Sequence, residues 1–132
     1  AGRTVTVIGR FPANERIAQA AGQVHFLEMQ PQPGELPPYA CEEVIPESDI
    51  VVITATALIN KTLPRLLELS RDATAIVLGP STPMNDVLFR HGADILAGVR
   101  VTDTEALISS VMQGVKRFRK LAGIEALMRF AP

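Results

Sequence analysis

Residues 51–62 read VVITATALINKT, and residues 77–83 read VLGPSTP. Each begins as a run of β-branched and apolar residues without polar alternation, which is the pattern of a strand covered on both faces of its sheet. Each then breaks into short hydrogen-bonding groups: Thr54, Thr56, Asn60 and Thr62 in the first, and Gly79, Pro80, Ser81 and Thr82 in the second. Two buried strands that end in polar turns predict a parallel sheet whose carboxyl ends form an edge able to hold a ligand.

Three more strand-like runs fall on either side: TVTVIG at 4–9, VHFLEM at 24–29 and DILAGV at 94–99. Helical signals alternate with them. A small helix is expected around Asn14 to Ala21, and Thr62 is placed to cap a helix with Leu63, Leu66 and Leu67 on one face and Pro64 in its first turn. Thr82 followed by Pro83 predicts a further helix start, ending near His91 with Gly92 in the left-handed conformation. Thr102 and Glu105 have the spacing of a capping box, and Leu107, Val111, Val115, Phe118 and Ala122 continue as one stripe. The prolines of QPQPGELPPYACEEVIPE (30–47) predict a long loop without a helix. The expected fold class is therefore α/β: a Rossmann-like three-layer sandwich with a mainly parallel sheet of about five strands, forming one domain over residues 1–132.

The chain has 132 residues, 47% of them hydrophobic and 20% charged, enough to bury a core. Its 13 basic and 14 acidic residues give a formal charge of -1, which creates no field to gather nucleic acid or a membrane surface, so neither is an expected partner. One cysteine, Cys41, forbids an internal disulfide, and no signal-like or spanning apolar run is present; the expectation is a cytoplasmic protein. The chain opens AGRTVTVIG without a methionine and enters a strand almost at once, which gives the expectation of a fragment lacking an N-terminal partner domain.

Three polar strand ends would meet on one edge: Gly9, Arg10, Phe11 and Pro12; Thr54 to Thr62; and Gly79 to Thr82. Ser81 and Thr82, at a predicted helix start, would offer backbone N–H groups to an anion. Any one threonine is read as a cap or turn residue; the coincidence of three such ends is what predicts a site.

ESDIVVITATALINKTLPRLLEL (47–69) is similar to the third strand and following loop of D-2-hydroxyacid dehydrogenases, and Glu28 stands where a ribose-binding acid would. The glycine fingerprint is absent, because Gly9 is followed by Arg10, Phe11 and Pro12, so NAD is not expected to bind and Glu28 is read as a solvated acid.

Taken together, TVIGRFP (6–12), the stretch 36–69 and LGPSTPMNDVLFRHGADILAGVRVTD (78–103) resemble the Rossmann-like C-terminal domain of the putative heavy-metal-chelation family, once catalogued only as a domain of unknown function. The most specific pieces are T-x-T-x-x-x-N-x-T from Thr54 to Thr62 and GPSTP from Gly79 to Pro83. The sequence departs from the family pattern at Ala55, where glycine is usual, and at Arg10, where histidine is usual. The resemblance implies metal chelation, and an N-terminal domain like the front part of enolase whose cleft with this domain would be the active site.

The residues themselves do not announce a metal site: His25, His91 and Cys41 lie far apart in sequence, and the metal ligands stay unassigned. Cys41 with Glu42 and Glu43 is the one local cluster, read equally well as an acidic loop. No nucleophile and base pair is visible, so catalytic residues are also unassigned, and Lys116, Arg117, Arg119 and Lys120 are read as the solvated end of the last helix. The expected function is binding of a small polar or anionic ligand, with a metal ion as the implied cofactor, at the carboxyl edge of the sheet. The alternatives are an enzyme with its catalytic groups mainly on a missing N-terminal domain, or an assembly module whose polar edge is buried in a homo-oligomer.

Overall fold

The computed structural model describes residues 2–132. Strands β1 (Thr4–Ile8), β2 (Gln23–Leu27), β3 (Ile50–Thr54), β4 (Thr74–Leu78), β5 (Ile95–Val101) and β6 (Ile124–Phe130) form one sheet in the order β2-β1-β3-β4-β5-β6. The first five are mutually parallel, as their nearly apolar runs predict, and β6 joins antiparallel to β5. The sheet thus has six strands where about five were expected. The strand order reverses between β1 and β3, which makes the carboxyl ends of these two strands the topological switch point.

Helices α1 (Asn14–Ala20), α2 (Cys41–Val44), α3 (Thr56–Ile59), α4 (Leu63–Leu69), α5 (Asp86–Arg90) and α6 (Thr104–Met112) connect the strands. Leu63, Leu66 and Leu67 of α4 are buried, with Pro64 in the first turn where its missing N–H costs nothing. They pack with Ile45, Leu88 and the strand residues Val51, Ile53, Val77 and Leu96. Burying a leucine contributes roughly 1.5–3 kcal/mol, so this face is the main store of stability. On the opposite face Val5, Val7 and Val52 pack with Phe11 and with Ile17 of α1. The three-layer expectation holds, but the second cover is short. The strand register puts Met128 and Phe130 on that same face, where they are 57% and 65% exposed, alongside the exposed Val101. The only buried residue of α6 is Ser110, and its Ile108, Val111 and Met112 are exposed.

Four local expectations are corrected. The 30–47 segment is not wholly a loop: a 3-10 turn (Pro38–Ala40) leads into α2, because Pro38 sits at the start of the turn, where proline is tolerated. The buried Thr6 hydroxyl lies 2.7 Å from that of Ser48, which donates to the Val44 carbonyl, tying the segment to β1. The helix expected at Thr82 starts instead at Asp86, with the Asn85 side chain accepting from the Val87 amide at 2.9 Å. The last helix is capped one residue later than Thr102, by Asp103, whose carboxylate accepts from the Ala106 amide at 3.0 Å. It also stops early, at Gly114 with φ +77, so Val115, Phe118, Ala122 and the basic residues 116–120 lie beyond it. No helix among the described residues is long and apolar enough to cross a membrane.

Candidate functional site

Beyond the carboxyl ends of β1 and β3 lies a cavity of about 560 Å³, a volume suited to a small organic ligand. Its geometry begins at Gly9. With φ +116 this residue sits where L side chains are strained, and a Cβ there would fall 2.9 Å from the Cβ of Thr54. Glycine is therefore what lets the two strand ends close on each other. Thr54 and Thr56 place their hydroxyls 3.0 Å apart, and the Thr56 amide donates to Thr54 Oγ1 at 3.4 Å.

Asn60 Oδ1 accepts from the Thr62 amide at 3.1 Å and from Thr62 Oγ1 at 2.6 Å. Thr62 thus precedes α4 as expected, but its side chain closes the Asn60 turn and makes no cap bond. Between them, Lys61 adopts φ +66, the one positive value outside glycine among the described residues.

Gly9, Arg10, Thr54, Thr56, Asn60 and Thr62 all line this cavity, so two of the three predicted strand ends come together there. The remaining members of the predicted set lie elsewhere. Phe11 packs into the core beside Val5 and Val7, and Pro12 is exposed in the turn before α1. Gly79, Pro80, Ser81 and Thr82 do not line the cavity. Thr82 is buried, donates its hydroxyl to the Gly79 carbonyl at 2.8 Å and spends its amide on the same oxygen at 3.1 Å. With the helix starting at Asp86, the N–H groups expected to greet an anion at 81–82 are not at a helix terminus.

The lining also includes residues the sequence reading set aside or did not single out: Glu28, Met29, Cys41, Lys61 and Arg65. Glu28 stood out only by its place at the end of β2, and nothing in the sequence marks Lys61 as left-handed. Two of the cavity's cations are already matched. Arg10 pairs with Glu35 at 2.6 Å, and Arg65 pairs with Glu42 at 2.6 Å and Glu68 at 2.8 Å. The hydrogen bonds from Arg10 hold the Glu35 carboxyl below its ordinary value, those from Arg65 do the same to Glu42, and both guanidinium groups are held charged in return. Burial, and then the Glu42 charge, push the Cys41 thiol up, away from the thiolate that metal binding or nucleophilic attack requires.

Among the described residues no three His, Cys, Asp or Glu side chains gather as a metal site. His25 lies on β2 with its Nε2 3.2 Å from Gln23 Nε2, and His91 ends α5; neither lines the cavity.

Residues 1–127 match the family DUF364, described as "Putative heavy-metal chelation". A crystal structure of a DUF364 protein of unknown function from Desulfitobacterium hafniense DCB-2 superposes with a TM-score of 0.86 at 36% identity, over 98% of this chain and 53% of that one. A second DUF364 protein of unknown function, from Pyrococcus horikoshii, gives 0.83 at 18% identity, over 97% and 55%. An imine reductase variant from Myxococcus stipitatus in complex with NAD+ gives 0.52 at 18% identity, over 79% and 42%, a likeness of fold alone. No curated protein matches the chain. The chain spans about half the length of the two DUF364 structures.

Proposed function

The chain belongs to the DUF364 family, described as putative heavy-metal chelation, and from that premise we propose that it binds a small polar or anionic ligand in the cavity beyond β1 and β3. The observation that carries the reading is the convergence of Gly9, Thr54, Thr56 and Asn60 on one cavity at the switch point of the sheet. Hydroxyl and amide groups there fix orientation, while Ile8, Leu27 and Leu66 supply the apolar wall. The test is a phosphate titration followed by amide chemical shifts. Movement at Gly9, Thr56 and Lys61 with Arg129 unmoved is expected; cavity amides that move with neither phosphate nor an organic anion would remove the reading.

A chelated heavy metal is a poorer fit to these residues. Soft metals select thiolate and imidazole sets, and here the cavity offers one thiol with a raised pKa and no imidazole. The two DUF364 structures are about twice as long as this chain, and in the alternative reading catalytic groups would lie mainly on a further, enolase-like N-terminal domain such as the resemblance implies, with this domain supplying the ligand seat.

A second reading has its own observation. Met128, Phe130 and Val101 leave one side of the sheet apolar and exposed, which favours an assembly role on a surface separate from the cavity. Changing Met128 and Phe130 to serine should convert any oligomer seen in light scattering to monomer; an unchanged mass would exclude this surface.

A further inference from the structure

We infer that Lys61 is the anion-recognising residue of the cavity and that its ligand is an organic anion with an apolar body, a refinement that rests on the binding reading above. Three cationic side chains line the cavity, and two are already matched by carboxylates: Arg10 by Glu35, and Arg65 by Glu42 and Glu68. Among the described residues Lys61 forms no ion pair, so its charge is the one left for a ligand. Its backbone supports the same conclusion. A lysine at φ +66 is strained, and such a residue persists only where its surroundings fix it. Here both neighbours are fixed, since Asn60 Oδ1 holds Thr62 from one side and the Thr62 amide donates to the Ala57 carbonyl at 2.9 Å.

The opposite side of the cavity sets the polarity. Glu28, at the end of β2, is half-buried, lines the cavity and forms no ion pair among the described residues; the Arg10 charge within its reach is already matched by Glu35, so this side stays net negative. Strand β1 lies between β2 and β3, which separates those two strands by about 10 Å, two interstrand spacings. A negative carboxylate on the β2 side repels an anionic group and leaves the Lys61 side as its seat. Between them the wall is apolar, with Ile8, Leu27, Ala57 and Leu66. An inorganic anion would use Lys61 alone and leave that wall wet. A molecule with an apolar body and one anionic end uses both.

Two dyes of the same shape test this: 8-anilinonaphthalene-1-sulfonate, and N-phenyl-1-naphthylamine, which lacks the sulfonate. The sulfonate dye should bind the unaltered chain and shift the Thr54 and Thr56 amides but not those of Met128 and Phe130. Lys61→Gly should weaken it about tenfold or more, a loss of roughly 1.4 kcal/mol, and leave the neutral dye unchanged. Lys61→Arg should retain binding. The melting temperature of Lys61→Gly should not fall, because glycine takes a positive φ freely. Glu28→Gln should bind the sulfonate dye at least as tightly as the unaltered chain, and weaker binding would overturn the assigned polarity. Equal affinity in Lys61→Gly, equal weakening of both dyes, or no sulfonate dye in the cavity would overturn the inference. If phosphate still moves the Gly9 and Thr56 amides in that event, only this inference falls; if neither probe moves them, the binding reading falls with it.

Discussion

Glu35 accepts from Arg10 twice, from Nη2 at 2.6 Å and from Nε at 3.2 Å, and a third time from the Gln32 amide at 2.8 Å. Arg10 also donates to the Gln30 carbonyl at 3.3 Å. One carboxylate therefore clasps the turn after β1 to the segment after β2, and Arg10, its cationic half, lines the cavity. A planar guanidinium suits this forked contact as a lysine would not.

The clasp should depend on pH in one direction. Hydrogen bonds from Arg10 lower the Glu35 pKa in the folded state, so its contribution is present above the unfolded value and is lost as pH falls through the folded one. Arg10 stays charged across the working range and adds no alkaline limb. The gap in melting temperature between Glu35→Gln and the unaltered chain should be open at neutral pH and close on acidification below the ordinary carboxylate range. A gap that persists in acid would show that the carboxylate charge is irrelevant there.

Gly9→Ala should cost about 1–3 kcal/mol from backbone strain, and more from the 2.9 Å approach to Thr54. Gly34→Ala supplies the control, since Gly34 also has a positive φ, +89, with nothing within 4 Å. Urea denaturation should show the larger loss at Gly9. Equal losses would mean that Thr54 moves aside without cost.

Asn60 has two roles that substitutions can separate. Asn60→Ala removes the acceptor of both Thr62 hydrogen bonds and should cost about 1 kcal/mol. Asn60→Asp keeps that acceptor, deletes the amide donor of this cavity-lining residue and adds a negative charge, so stability should hold while phosphate affinity falls. Unchanged affinity in Asn60→Asp would remove Asn60 as a ligand contact.

NAD is expected to show no micromolar affinity in calorimetry. The turn after β1 has one glycine, its Arg10 is spent on Glu35, and the Phe11 amide donates to Asn14 Oδ1 at 3.3 Å, away from any pyrophosphate. Micromolar binding would overturn this and assign Glu28 to a ribose.

Much of the fold was legible because five strands are β-branched or largely apolar runs, and the Gly92 stop and the α4 leucines follow local rules. β6 was not, because IEALMRF consists largely of good helix formers and follows a stripe that continues α6 on paper. Gly114 was the available stop signal. Thr102 and Asp103 are both capable caps one residue apart, and only the packed structure chooses Asp103. For the site, the threonines and Asn60 were marked by their place at a strand end. Glu35 was not, since its partner lies 25 residues away and no periodicity links a loop acid to a turn arginine. Lys61 was invisible for a different reason: its importance lies in a backbone angle.

The bare side of the sheet also shapes the heat-capacity signature of the chain. Much of the apolar surface at Val101, Met128 and Phe130 is already hydrated in the folded state, so melting adds less there to the hydration change that curves a stability profile. A chain of 132 residues would ordinarily unfold with a heat-capacity increment of about 1.6–2.0 kcal/mol/K. Calorimetry on this domain alone should fall short of that range, and its stability should vary more gently with temperature than its length implies.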